Sequence, residues 1–382
     1  MSNISALDAI LRSMNKTINS LPKLFHTMLE NYNLCKKTRP SGYTSTFWDV
    51  FPEDYEKSIG QTSAWTTFLR NPLSLGFNDV LINFDNARYV SQDKKYDGID
   101  AWKNRKEHDF TNLIDEAISS PEEQKTMFET VDFLFKVCGP DFIKNYSLES
   151  KIGSPQKSVV NLGSESFHTN MHDLSLLYYF WQISRTADVL LETDTPVIAE
   201  IGAGYGGLIS KAKKRYPKAR FIIFDLPEPG AIQAYYIQNT YPDSKILYLK
   251  DLLERGNKVF NEKFDFMILP GWMIDKVPDK YIDLMINIRS MMEMSPPIID
   301  FYFTHIHRVV KDNGLFACFN RYIKVYEDGD IIMKDYPFDE YWVTVLSQTS
   351  LFQNHIHDLI LKRQDKKSDL HIRDILKSLP PH

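Results

Sequence analysis

Cysteine is scarce in this chain: three among 382 residues, Cys35, Cys138 and Cys318. They lie far apart and form no C-x-x-C pair, which argues against a disulfide scaffold or a zinc ribbon and for a reducing compartment. A cytoplasmic location is the expectation. A surplus of one charge is also missing, since 45 basic residues stand against 50 acidic ones, a formal charge of −5. Nothing in that balance asks for a polyanion, so no nucleic-acid partner is expected. No uninterrupted apolar run approaches the ~20 residues needed to span a bilayer. The first ten residues carry Asp8 and no apolar core of a secretory signal. Neither a leader nor a transmembrane segment is therefore expected. Glycine is thin as well, at 16 residues, which makes its one dense cluster conspicuous.

That cluster lies in Val197-Ile198-Ala199-Glu200-Ile201-Gly202-Ala203-Gly204-Tyr205-Gly206-Gly207-Leu208, where an apolar strand stops and a helix-like segment starts at once. Gly202, Gly204 and Gly206 remove every Cβ from their side of the turn, so the backbone can press against a ligand. The new helix adds unpaired N–H groups and the positive end of its dipole. This suits a nucleotide-like cofactor with a polar or anionic end. Two patterns fit. G-x-G-x-x-G through Gly202, Gly204 and Gly207 is the dinucleotide fingerprint. E-x-G-x-G-x-G through Glu200, Gly202, Gly204 and Gly206 resembles the first motif of S-adenosylmethionine (SAM)-dependent methyltransferases.

The residues that follow strengthen the nucleoside reading. Positions 208–216 read as a helix ended by Pro217, and Arg220-Phe221-Ile222-Ile223-Phe224 as a buried strand closed by Asp225. Asp225, with Leu226 beside it, sits where a doubly wound sheet places the acid that accepts both ribose hydroxyls. Hydrogen bonds to a charged acceptor are worth about 1.5–3 kcal/mol each, enough to set affinity. Glu200 chooses between the cofactors. An acid there helps hold the methionine end in the methyltransferase pattern, whereas a pyrophosphate would be repelled. No second dinucleotide half follows. SAM is the expected cofactor.

The chain divides into a mainly helical N-terminal region (1–155), a methyltransferase domain (156–365) and a charged tail (366–382). A lid, a substrate site or an oligomer contact is open to the first region, and a homo-oligomer is compatible with it. Ile4, Leu7, Ile10 and Leu11 form one amphipathic stripe, and Leu24, Phe25, Met28 and Leu29 another. Ser120-Pro121-Glu122-Glu123 starts a helix that Gly139-Pro140 stops. The aromatic-rich stretch 42–98 is expected to pack these helices onto the second domain; stacking on a sugar or covering the cofactor is the alternative. There, helices are expected at 173–191, 230–241 and 296–310, and strands at 245–249, 265–269, 283–287 and 314–319. Segments 341–346 and 355–361 suggest a terminal hairpin. The basic run Lys211-Ala212-Lys213-Lys214-Arg215 reads as the wet face of its helix. The fold class is α/β, with a mainly parallel sheet covered on both faces.

Five separated motifs make the resemblance narrower. The glycine loop is followed by Phe224-Asp225-Leu226-Pro227, then Leu269-Pro270-Gly271-Trp272-Met273. Next come Asn287-Ile288-Arg289-Ser290-Met291-Met292-Glu293-Met294 and Phe319-Asn320-Arg321-Tyr322. This series, over roughly 160–362, resembles the bacterial sugar O-methyltransferases associated with surface polysaccharide building. The resemblance implies a Rossmann-like seven-stranded sheet with a C-terminal antiparallel hairpin, and a sugar or glycan acceptor. In an open parallel sheet ligands sit beyond the carboxyl ends of the strands. This puts Gly271 and Trp272 at the adenine, Ser290 near the sulfonium, and Asn320 and Arg321 on the substrate side; a plain core tryptophan is the alternative for Trp272. Glu293, at the end of a strand, is the first candidate for the base that takes the acceptor's proton. A plain helix-start glutamate is the alternative. His168 and His172 precede the helix leading to the cofactor strand, where a lid could bring them over the site.

Two H-x-H pairs carry no metal expectation. His305 and His307 fall on different helix faces, and His355 and His357 have no evident acidic third ligand. Three readings compete: a SAM-dependent O-methyltransferase, a nicotinamide-dependent Rossmann oxidoreductase, and a non-catalytic scaffold that keeps the fold.

Overall fold

The computed structural model describes residues 23–43, 65–66, 68–69, 121–147, 151–155, 158–162, 165–326, 329–368 and 372–379. The 4–11 stripe, Ser120 and most of the 42–98 stretch lie outside the described residues.

Before the sheet come α1 (Lys23–Thr38), α2 (Pro121–Cys138) and α3 (Pro140–Tyr146). The first carries the Leu24–Leu29 stripe, and Phe25, Met28 and Leu29 are buried. A short hairpin, β1 (Ser158–Leu162) with β2 (Glu165–Thr169), leads into α4 (Met171–Leu191). The Asn170 side chain caps α4 by accepting from the Asp173 N–H at 2.7 Å, satisfying one of the orphan donors of the first turn.

The sheet then builds through β3 (Val197–Ile201), α5 (Gly207–Arg215), β4 (Arg220–Asp225), α6 (Pro227–Thr240) and β5 (Ile246–Tyr248). It continues with α7 (Leu249–Arg255), β6 (Phe266–Pro270), β7 (Ile282–Ile288), α8 (Pro296–Val309) and β8 (Val310–Arg321). A small pair, β9 (Ile323–Lys324) with β10 (Ile331–Ile332), precedes β11 (Trp342–Thr349), β12 (Ile356–Arg363) and α9 (Ile372–Lys377).

The strand order is β11-β12-β8-β7-β3-β4-β6-β5. The strands β3 to β8 run parallel, and β12 and β11 close one edge antiparallel. β3, β4, β6 and β7 are buried over nearly their whole length, as strands covered on both faces must be. The sheet holds eight strands, one more than the seven implied by the resemblance. The extra one is β5, three residues that extend the edge beyond β6. The terminal hairpin occurs where the pattern puts it.

Alternation along β3 sorts the two faces. Ile198 belongs to a core built with α4, α5 and α6, while Val197, Ala199 and Ile201 face a core built with α8. The first of these cores runs on into Phe25, Met28, Trp65, Met127 and Val131. Burying one such apolar side chain is worth about 1.5–3 kcal/mol, so this shared core ties the N-terminal helices to the sheet.

The basic run on α5 is not a wet face. Lys211 and Lys213 are only 7% and 8% exposed. Lys211 Nζ binds Asp173 Oδ1 at 2.5 Å and the Tyr146 carbonyl at 2.7 Å. Lys213 reaches Asp265 at 2.7 Å, and Arg215 pairs with Asp188 at 2.5 Å. The helix is sandwiched between α4 and the sheet, so Lys211, Lys213 and Arg215 meet carboxylates, while Lys214 is exposed.

Candidate cofactor site

The chain leaves β3 toward β4 on one side, and β7 pairs on the other side of β3. In an open parallel sheet this reversal opens a crevice beyond the carboxyl ends of the strands. The glycine loop lies there. Gly202, Gly204 and Gly206 have φ of 72°, 59° and 92°, in the left-handed region that favours glycine. The Gly202 N–H donates to the Phe224 carbonyl at 2.8 Å, holding the turn against β4. A Cβ on Gly202 would lie 2.2 Å from Ser290 Oγ. That hydroxyl donates to the Ile201 carbonyl at 3.0 Å and contacts Asn287 Nδ2 at 2.5 Å. The empty side of Gly202 thus accommodates Ser290 and not only a ligand. Ser290, expected near a sulfonium, is bound into the end of β3.

Two carboxylates share one face of the sheet. Glu200, in phase with Ile198, and Asp225, in phase with Ile223, both point to the α4–α6 side. Glu200 is 3% exposed, and its Oε2 has no hydrogen-bond partner among the described residues. Burial, with the Asp225 charge adding to it, pushes its carboxyl up to about 8. Asp225 accepts from the Leu226 N–H at 2.8 Å and from Gln233 Nε2 at 2.7 Å. Burial raises it to about 7 against the help of those bonds. Gln233 Nε2 also reaches the Gly204 carbonyl at 2.8 Å, so one amide joins the glycine loop to the Asp225 carboxylate. Gln233 belongs to none of the sequence motifs. Its one signal is a glutamine inside the buried run Ala231-Ile232-Gln233-Ala234, where an amide needs a partner.

Beyond β7 and β8 an amide staple takes over. Asn320 Nδ2 donates to Asn287 Oδ1 at 2.9 Å, and Asn287 Nδ2 donates to the Ile201 carbonyl at 3.0 Å. The Met292 N–H donates to Asn320 Oδ1 at 3.2 Å. Asn320 is fully buried, and both ends of its amide are engaged in tying the strand tips together. Asn320, expected on the substrate side, thus has its amide engaged within the protein. Arg321 is half-buried at the end of β8. Glu293 ends the turn Met291–Glu293, half-buried, its N–H donating to the Ser290 carbonyl at 3.0 Å. Its charge and that of Arg321 both act on the Tyr326 hydroxyl. Burial and Glu293 push that hydroxyl above the ordinary phenol range, while Arg321 opposes them.

The two histidines part company. His172, in the first turn of α4, lies with its ring 5.6 Å from that of Tyr205 in the glycine loop. Burial, then the Arg289 and Lys211 cations, lowers it to about 3, so it is a neutral imidazole at physiological pH. His168 is exposed on β2, on the face opposite Phe167, whose ring packs 4.9 Å from Phe135. Arg289, to which the sequence motifs assign no role, adopts φ 58° just past β7, with its N–H on the Phe319 carbonyl at 2.7 Å. Such a conformation costs a non-glycine residue about 1–3 kcal/mol and clusters at functional sites.

On the other flank, Gly271 and Trp272 follow β6. Trp272 is buried, its ring edge-on to Tyr43 at 5.1 Å. Its indole N–H has no hydrogen-bond partner among the described residues.

Among the described residues, no group of three or more His, Cys, Asp or Glu side chains is placed to hold a metal ion. His305 accepts from Arg308 Nε at 3.2 Å, and His307 lies 3.5 Å from Asp339. His357 contacts Ser347 Oγ at 2.9 Å. Among the described residues, no helix is long and apolar enough to cross a membrane.

No protein-family model matches the chain, and no curated protein matches it in sequence. Among solved structures it is similar to a TehB-like SAM-dependent methyltransferase from Corynebacterium glutamicum, at 13% identity and TM-score 0.33. That match covers 49% of this chain and 88% of that one. Similarity to the CurJ carbon methyltransferase is at 10% identity and TM-score 0.34, over 50% of this chain and 55% of that one. Similarity to the mitomycin 7-O-methyltransferase MmcR is at 12% identity and TM-score 0.31, over 50% and 57%. The chain thus spans little more than half the length of the last two.

Proposed function

We propose that this protein is a SAM-dependent methyltransferase, with the cofactor laid across the glycine loop and its ribose on Asp225. The observation that carries this is Glu200: a buried carboxylate oxygen with no hydrogen-bond partner among the described residues, directly beneath the loop. A ligand bringing positive charge to that spot favours the ionised carboxylate and partners it, whereas a pyrophosphate would add to the forces that keep it from ionising. The residues present therefore suit a sulfonium nucleoside. Glu200 and the loop would hold the amino-acid end, Asp225 and the Leu226 backbone the ribose, and Gly271 and Trp272 the base.

SAM, when bound, supplies a methyl group already activated for displacement. The protein must align the acceptor and take its proton. Alignment contributes about 7–11 kcal/mol, and a positioned base about 10²–10⁴-fold. Glu293 is the base in this reading. It stands at the carboxyl end of β7, in a segment braced by Ser290 and Asn320. His172, neutral and against Tyr205, orients the acceptor. A sugar hydroxyl, in a glycan or a nucleotide-linked precursor of a bacterial surface polysaccharide, is the acceptor supported by the five-motif series. Arg321 is the residue we assign to its recognition.

Calorimetric titration of the full chain with SAM and with NADH tests the cofactor. Binding of SAM and not of NADH is expected. Binding of NADH alone would replace this reading with a nicotinamide oxidoreductase, and binding of neither would leave a scaffold.

A further inference from the structure

Among the described residues that precede the sheet, Tyr43 reaches the rim of this crevice. The chain leaving α1 turns at Arg39–Tyr43. There the Tyr43 N–H donates to the Pro40 carbonyl at 3.2 Å and Arg39 Nε donates to the Tyr43 carbonyl at 2.8 Å. The turn delivers Tyr43 against Tyr302 of α8, and the two hydroxyls meet at 2.5 Å. Both rings are buried. The pair lies hard against the end of β6. A Cβ on Gly271 would stand 2.0 Å from the Tyr302 hydroxyl oxygen and 2.2 Å from that of Tyr43.

Gly271 is one residue past Pro270, and Pro270 is the register partner of Asp225. Neighbouring strands are about 4.8 Å apart, roughly the step from a ribose to its base. With the ribose on Asp225 and the amino-acid end over β3, the base falls on the β6 side, beside these hydroxyls.

Two phenols bonded to each other use one of their two protons. The other proton and several lone pairs stay available, and neither hydroxyl has another hydrogen-bond partner among the described residues. A buried hydroxyl proton needs an acceptor.

We infer that the Tyr43–Tyr302 hydroxyl pair reads the base of the bound nucleoside, donating to a ring nitrogen of adenine and accepting from its exocyclic amine. This rests on the proposed cofactor. It makes Tyr43, and with it the N-terminal region, part of the nucleoside site as a specificity-determining residue.

The test is calorimetric titration of the full chain with S-adenosylhomocysteine and with its N6,N6-dimethyl form, whose base has no amine proton to give and blocks that edge. A 6-oxo base would not discriminate, because either hydroxyl of the pair can be the donor. Wild type should prefer the unmodified compound. Tyr43→Phe and Tyr302→Phe should each bind it about three- to tenfold more weakly, the loss of one hydrogen bond. Their affinity for the dimethyl compound should change little, so the preference narrows. Gly271→Ala, which keeps both tyrosines but displaces their hydroxyls, should act in the same direction. Melting temperatures without ligand establish that each variant is folded. If wild type binds neither compound, the cofactor reading fails and takes this inference with it. If wild type binds and all folded variants keep its affinity and preference, the base-reading role alone is overturned.

Discussion

Asp225 and Glu293 carry different burdens in the proposed reaction, and single substitutions separate them. Asp225→Ala should abolish SAM binding in a calorimetric titration, because both ribose hydroxyls lose their charged acceptor. Glu293→Ala should leave that binding intact and slow transfer by about 10²–10⁴-fold, measured as formation of S-adenosylhomocysteine with candidate sugars. Unchanged turnover removes Glu293 from the chemistry. Gly202 is a steric case. Its φ of 72°, and the 2.2 Å that would separate an alanine Cβ from Ser290 Oγ, leave no room for a side chain. Gly202→Ala should cost about 1–3 kcal/mol of stability in a denaturant melt. Adding Ser290→Gly should recover the steric part and not the backbone part.

The glycine loop is held by its flanking helices, α4 and α5, which are joined by a buried ion pair. Lys211 and Asp173 are 38 positions apart in sequence and meet at 2.5 Å. Asp173 directly follows His172, so the pair sets where that imidazole stands over Tyr205. Lys211→Met leaves the Asp173 carboxylate buried beside an apolar chain and should destabilise the protein by about 3–5 kcal/mol. Lys211→Met with Asp173→Asn should cost clearly less, because no uncompensated charge remains. Urea titration of the two variants compares them. This pairing explains why the cations of α5 mislead pattern reading. Spacing along one helix tells which side chains share a face, but not whether a carboxylate from another helix waits opposite. The β1–β2 and β9–β10 pairs escape the same kind of reading. Both are short, and each is held by local partners rather than by a long alternating run.

Over the whole molecule the two raised carboxyls give a pH signature. Glu200 and Asp225 hold their protons up to about 8 and 7 in the folded chain, against ordinary values of ~4 for the unfolded one. Between these limits the native state binds more protons than the unfolded state, so its stability falls as pH rises. The ligand-free melting temperature should therefore decline from about pH 4 toward pH 8 through this pair, and Glu200→Gln should flatten the decline. A cationic ligand favours the ionised carboxylates, so SAM binding at about pH 7.5 should release protons. Titration in buffers of different ionisation heat detects that release. Equal apparent enthalpies in all buffers contradict it.

Much of this architecture is legible in local pattern. Period-two and apolar runs locate β3, β4, β6, β7, β8 and the terminal hairpin, and 3.6-residue stripes locate α1, α4 and α8, because burial on a sheet or helix repeats within a few residues. The glycine loop, Glu200 and Asp225 can be named for the same reason: a tight turn and a strand-end acid leave compact signatures. What surrounds them cannot be. Tyr43 meets Tyr302 across 259 positions, Ser290 fills the space over Gly202, Asn320 turns inward to Asn287, and Gln233 joins the loop to Asp225. Those partnerships depend on the order in which strands lie side by side and on which helix covers which face. They are long-range choices made by packing the whole core at once, and no stretch of a dozen residues contains them.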